Sequence, residues 1–221
     1  MVWPEGGKRG LQGLASARGS LRDTLPGLPA AMYLPDATAA AYSSPVESRT
    51  KAFVLESLFR GTQVQGPFLE ELREAGYDPF RPEPSYTTQT MRRCLDIAQR
   101  HLFATASRAE GRRQLGRRFV QGFAETQLGK MVVSGLPLIG PARYLRRFPE
   151  HVKFDARATA RVAPVQLDER SFRMEFRDDP YLTPDFMSGV LEEGLRLAGV
   201  EASLRTGAVH GPGSFDLLAS W

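Results

Sequence analysis

The feature that most constrains this chain is a change of hydrophobic period near residue 150. Upstream, apolar residues recur every three or four positions; downstream they alternate. From His151 to Ala163, Val152, Phe154, Ala156, Ala158, Ala160 and Val162 share one side, against Lys153, Asp155, Arg157, Thr159 and Arg161. Phe172, Met174 and Phe176 repeat the alternation against Arg173, Glu175 and Arg177. A helix returns a side chain to the same face every 3.6 residues and a strand every second residue. One chain carrying both periods in separate blocks is neither all-helical nor all-strand. It is read as α+β, with helices first and an antiparallel sheet after them.

The helical block carries its own punctuation. Phe53, Leu55, Leu58 and Phe59 form a stripe that Gly61 ends. Gly66-Pro67 opens a helix with Phe68, Leu69 and Leu72 apolar, closed by Gly76. After a Pro-rich loop at Tyr77–Pro84, Thr87 or Thr88 caps a helix to about Ala104, with Met91, Leu95, Ala98 and Leu102 inward. Ser107 and Glu110 have capping-box spacing. The helix they start carries Leu115, Phe119, Val120 and Phe123 inward to about Leu128. Residues 130–148 read as helix interrupted by Gly135, Pro137 and Gly140-Pro141. In the second block, Pro164–Arg170 reads as a hairpin connection. Thr183-Pro184-Asp185 starts a helix with Phe186, Val190, Leu191 and Leu195 inward, stopped by Gly199. Val200–Val209 and Ser214–Trp221 read as two last strands joined at His210–Gly213. The expected architecture is an N-terminal helical layer packed on a four-stranded antiparallel sheet, with one helix inserted between the strand pairs.

Residues 1–45 differ. They hold 6 of the 21 Gly and 5 of the 16 Pro and show no sustained period. Such a segment buries too little to offset its ordering entropy. It is read as a flexible tail or a mis-called start with Met32 as the first residue, and 46–221 as a single α+β domain.

Composition excludes more than it assigns. A lone cysteine, Cys94, rules out an intramolecular disulfide and a cysteine-built zinc site. No apolar run approaches the ~20 residues of a membrane span. The net charge of +4 is mild for a nucleic-acid binder, so no nucleic-acid partner is expected. The N-terminus lacks the apolar core of a secretory signal, and the expected compartment is the cytoplasm. Neither phosphate-loop nor nucleophile-elbow spacing occurs. No catalytic residue and no metal site is assigned.

Two clusters remain. Cys94 and His101 lie seven apart on one predicted helix, hence near one face, and are candidate pocket residues. The bland alternative is a buried core thiol and a half-buried imidazole. Arg112, Arg113 and Arg117 are a candidate anion patch. The bland alternative is a helix face paired with acidic groups.

Several stretches resemble a known family: Gly76-Tyr77-Asp78 with Tyr86, Gly116-Arg117 with Phe119, Phe186–Glu192, and Gly213–Trp221. Together they are similar to a myxobacteria-restricted family of unknown function, about 200 residues long with many paralogues. That resemblance supplies no activity. More distantly, the order of elements and the Met174–Val190 segment resemble haem nitric-oxide/oxygen-binding, four-vinyl-reductase and TRAPP-type domains. This second resemblance implies a module that holds an apolar ligand or a partner between helices and sheet. The haem domains carry Tyr-x-Ser-x-Arg after the second strand, where this chain has Phe176-Arg177-Asp178-Asp179-Pro180. Their proximal histidine also has no counterpart around Gly140–Arg147. No cofactor is therefore expected, haem included. The expected function is a non-catalytic regulatory module for ligand sensing or protein–protein interaction. Its partner would be a protein, an apolar small molecule or a second copy. The alternatives are a lipid or acyl-chain carrier using a helical pocket near Cys94, as the TRAPP-type resemblance implies, and an enzyme whose active site is unrecognised.

Overall fold

The structure is a computed structural model and describes residues 49–151, 161–179 and 182–221. The expected tail, Met32 included, and the alternating stretch 152–160 lie outside those residues.

Six helices and two sheets make up the described chain. A short strand β1 (Arg49–Lys51) leads into α1 (Phe53–Phe59), followed by α2 (Pro67–Glu74) and strand β2 (Ser85–Thr87). Then come α3 (Thr88–Leu102), α4 (Arg108–Ala124) and α5 (Gln127–His151). The second half is β3 (Arg161–Asp168), β4 (Ser171–Arg177), α6 (Pro184–Leu197), β5 (Ser203–Gly211) and β6 (Ser214–Ser220). β1 and β2 form a two-stranded antiparallel pair. β3, β4, β6 and β5, in that spatial order, form a four-stranded antiparallel sheet with α6 inserted between its strand pairs.

The boundaries follow from local chemistry. The hydroxyl of Thr87 accepts a hydrogen bond from the Thr90 amide at 3.1 Å, and that of Ser107 from the Glu110 amide at 3.2 Å. Each satisfies a donor that has no partner within its helix. Thr183 caps α6 in the same way at Phe186, with Pro184 next to it. Gly76 and Gly199 end their helices at a φ of +93°, where a Cβ is strained.

Four sequence expectations need correction. The helix expected to run to Leu128 stops at Ala124, because the Thr126 hydroxyl accepts from the Gly129 amide and starts α5 there. Helix α5 continues through Gly135 and Pro137; its backbone leaves the helical region only at Gly140 (φ +71°). It also takes in His151, which was expected to open a strand. Pro164 lies inside β3 rather than in a hairpin loop. β3 is an edge strand, and an edge tolerates a proline that has no N–H to donate outward. The two-stranded pair β1–β2 was not expected, since three-residue strands carry too little period to read.

The core joins the two blocks. On β4, Phe172, Met174 and Phe176 are all buried, and Phe176 stacks on Phe215 of β6 with centroids 4.9 Å apart. Phe148 of α5 meets Phe176 edge-on at 6.4 Å. Helix α6 packs against β5 and β6 on one side and α4 on the other. Helix α4 is the hub of the helical layer: it also contacts α1, α3 and α5.

Candidate functional site

A cavity of about 410 Å³ lies between α1, α4, α5 and α6. Helix α4 contributes Phe119, Val120 and Phe123, and α1 contributes Phe53. Val133, Leu136, Tyr144 and Phe148 come from α5, and Val190 and Gly194 from α6. Leu128, Val132 and Leu197 add further apolar surface, and two exposed charged residues, Lys51 and Glu150, complete the lining. The size falls within the usual range for small-molecule sites, and a mostly apolar wall with few polar groups is their usual chemistry.

Tyr144 is the polar exception within that wall. It is 8% exposed, and the described residues offer its phenol no hydrogen-bond partner. Burial pushes the phenol above its ordinary value of 10.0, so it is a neutral O–H at physiological pH. The hydroxyl is not sealed off in the core, and it stands where it could donate to a ligand oxygen in the cavity. Gly194 fixes its place: a Cβ there would run into the Tyr144 hydroxyl. The glycine is what lets that hydroxyl lie over α6.

Neither candidate pocket residue lines this cavity. Cys94 is fully buried in the α3 core, and burial pushes its thiol up to about 12. His101 sits at the end of the same helix, stacked on Phe68 at 4.6 Å and bonded to the Glu71 carboxylate at 3.0 Å. Hydrogen bonds from His101 and then Arg100 hold the Glu71 carboxyl below its ordinary value. Cys94 and His101 thus share a helix but face different neighbours.

The arginines are separated too. Arg112 is buried and pairs with Asp96 of α3; burial pulls its guanidinium below its ordinary value and Asp96 opposes the shift. Arg113 and Arg117, one turn apart, both grip Glu192 of α6. The Arg117 contacts are 2.8 and 3.0 Å, and the Arg113 Nε contact is 2.9 Å. Their positive charge is met by carboxylates from two different helices, so the three do not converge on one open surface. Spacing along α4 could not reveal this, because both acidic partners lie on other elements.

Tyr144 and Gly194 were not among the residues expected at a site. A signal was present for Gly194 and for the helix stretch beside Tyr144. Gly194 interrupts a helix with no turn to explain it, and residues 131–139 are apolar on both helix faces.

The fold has solved relatives. It is similar to an H-NOX family domain studied for heme distortion, with TM-score 0.60 and 16% identity, covering 77% of this chain and 94% of that one. An oxygen-binding H-NOX domain related to soluble guanylate cyclases matches with TM-score 0.57 and 16% identity, covering 76% and 90%. A variant H-NOX from T. tengcongensis matches with TM-score 0.55 and 17% identity, covering 76% and 92%. At such identities the likeness shows the fold. No curated protein matches this sequence.

These relatives correct the expectation that no cofactor, and haem in particular, belongs here. That expectation weighed two missing motifs, whereas the backbone carrying them is the one on which these heme domains are built. The described residues are chemically compatible with such a group. The wall is aromatic and aliphatic, Lys51 offers a cation to a carboxylate, and Tyr144 is of a residue type that ligates haem iron. His101 and His210 lie outside the lining. Over residues 49–221 the sequence matches the family described as "Protein of unknown function (DUF2378)", and the chain belongs to that family.

Proposed function

We propose that this protein is a non-catalytic ligand-sensing module, which holds an apolar small molecule between α4, α5 and α6. The observation that carries this reading is the apolar cavity with one phenol hydroxyl, that of Tyr144, in its wall. The preferred ligand is largely hydrocarbon or aromatic and presents one oxygen or nitrogen acceptor to that phenol. Haem is among the ligands such a wall admits. The likeness of fold to oxygen-binding H-NOX domains supports a sensing role over a transport role. Binding would reach the rest of the molecule through α6, which lines the cavity and also packs on β5 and β6. The lipid-carrier alternative loses its proposed anchor, because Cys94 does not line this cavity.

Native mass spectrometry of the purified chain, followed by denaturing extraction, tests the reading. The wild type should carry a removable small molecule, or bind added hemin with a Soret shift, or take up a fluorescent apolar probe such as 1-aminoanthracene. Tyr144→Phe should weaken the retained ligand about tenfold, the usual cost of one hydrogen bond. A wild type that shows none of the three kinds of binding would sink the proposal.

A further inference from the structure

Helix α5 covers the cavity with one face, and its other face needs an explanation. Val133 and Leu136 point to the cavity. Leu128 lines the cavity with them, whereas Met131 and Leu138 do not and are 74% and 88% exposed. Their spacing of seven residues, two helical turns, puts the two on one stripe, with Gly135 between. Single exposed apolar residues are ordinary, but two aligned on one helix face, among unpaired cations, make a surface feature.

Charge says what kind of surface this row meets. From Thr126 to Pro149 there is no acidic residue, while Lys130, Arg143, Arg146 and Arg147 are all present and all exposed. Arg146 is engaged by Gln166 and lies over the Phe172 ring. Among the described residues, no carboxylate pairs with Lys130, Arg143 or Arg147. Elsewhere on the helical layer, arginines such as Arg112, Arg113 and Arg117 are matched by acids. An isologous contact between two copies through this face would bring like charges together. An apolar row flanked by unmatched cations complements an anionic lipid surface, where apolar side chains enter the acyl boundary and cations meet headgroups.

We propose that the outer face of the Gln127–Ile139 part of α5, with Lys130, Arg143 and Arg147, docks this protein on an anionic bilayer. It lies on the membrane and does not cross it: no helix among the described residues is long and apolar enough to span. The helix break at Gly140 sits between the apolar row and the two arginines, which lets each meet its own layer. Since the inner side of the same helix roofs the cavity, docking places the cavity wall next to the lipid phase.

Vesicle co-sedimentation with the full chain tests this. The chain should sediment with vesicles of mixed phosphatidylcholine and phosphatidylglycerol and stay in solution with phosphatidylcholine alone, and added salt should release it. Met131→Ser with Leu138→Ser, neither of which lines the cavity, should weaken partitioning at least tenfold. Arg143→Gln with Arg147→Gln should weaken it roughly thirtyfold, at the usual strength of a basic residue near an anionic surface. Thermal melts check that both variants keep the wild-type fold. Three outcomes overturn the proposal: wild type that ignores anionic vesicles, a serine variant that binds as well as wild type, or a dimer in light scattering that this variant abolishes. The vesicle result is independent of what the cavity holds.

Discussion

Helix α4 meets two neighbours in opposite ways. Against α6 it makes a close crossing; against α5 it leaves the cavity. At the crossing Gly116 faces the Phe186 carbonyl and Gly189 faces the Arg113 carbonyl, and a Cβ at either position would collide with backbone. Flanking that contact, Arg113 and Arg117 hold Glu192, which is only 10% exposed. Toward α5 the same helix presents Phe119, Val120 and Phe123, and α5 answers with Leu136, Tyr144 and Phe148. Paired glycines bring helix axes together; facing bulky side chains hold them apart, and interdigitation is incomplete where the opposing helix breaks at Gly140. Rigidity and emptiness are thus set side by side on one helix by residue size alone. On the proposed function, a ligand would press on α5 and not on the glycine-paired contact of α4 with α6.

The contrast can be broken most severely at the crossing. Gly189→Val should cost about 3 kcal/mol or more, because neither backbone can recede without unpacking the sheet from α6. Urea denaturation checks this; a loss below 1 kcal/mol would show that the crossing is not tight. Glu192→Gln keeps shape and removes charge. It should cost about 1–2 kcal/mol, since the guanidiniums it leaves are partly solvated. The same denaturation series at high salt should narrow the gap between wild type and variant. On the cavity side, Val133→Phe should shift stability by less than about 1 kcal/mol and displace the bound small molecule. An equal cost for Gly189→Val and Val133→Phe would erase the distinction between the two interfaces.

Thiol chemistry sharpens the same comparison at smaller amplitude. Cys94 is fully buried and its thiol is pushed up to about 12 by burial, so a disulfide reagent should reach it only on unfolding. A thiol introduced by Val133→Cys should react in the folded state, and an apolar ligand should protect it. The raised value also has a sign for stability. The unfolded thiol loses its proton from its ordinary 9.0, while the folded one keeps it. Stability is therefore intact below pH 9 and declines as pH climbs toward 12. Tyr77 and Tyr144, both raised by burial above 10.0, act in the same direction at higher pH. Melts between pH 8 and 11 check it, with Cys94→Ser expected to lose the earliest part of the decline.

Much of the fold was legible because its signals are local. Thr87, Ser107 and Thr183 cap helices by bonding amides three residues away, and Gly76 and Gly199 end them by their own backbone angle. The alternation at Phe172–Phe176 reports its own burial. Pro164 misled, because a proline marks a turn unless its strand happens to be at an edge, and edge position is a property of the sheet. The site was hardly legible. Cys94 and His101 drew attention as scarce residue types, but scarcity says nothing about which wall a side chain faces.

The sequence alone therefore determined the helical block, the antiparallel strand pairs and the helix between them, since period and capping act over a few residues. Only the tertiary structure decided that Arg113 meets Glu192, 79 positions away. It alone decided that Gly116 and Gly189 touch, and that Tyr144 lies in the wall of an apolar cavity. Those outcomes depend on how four helices and a sheet fit together. Fit is a matter of volumes brought together from distant parts of the chain, which no local pattern records.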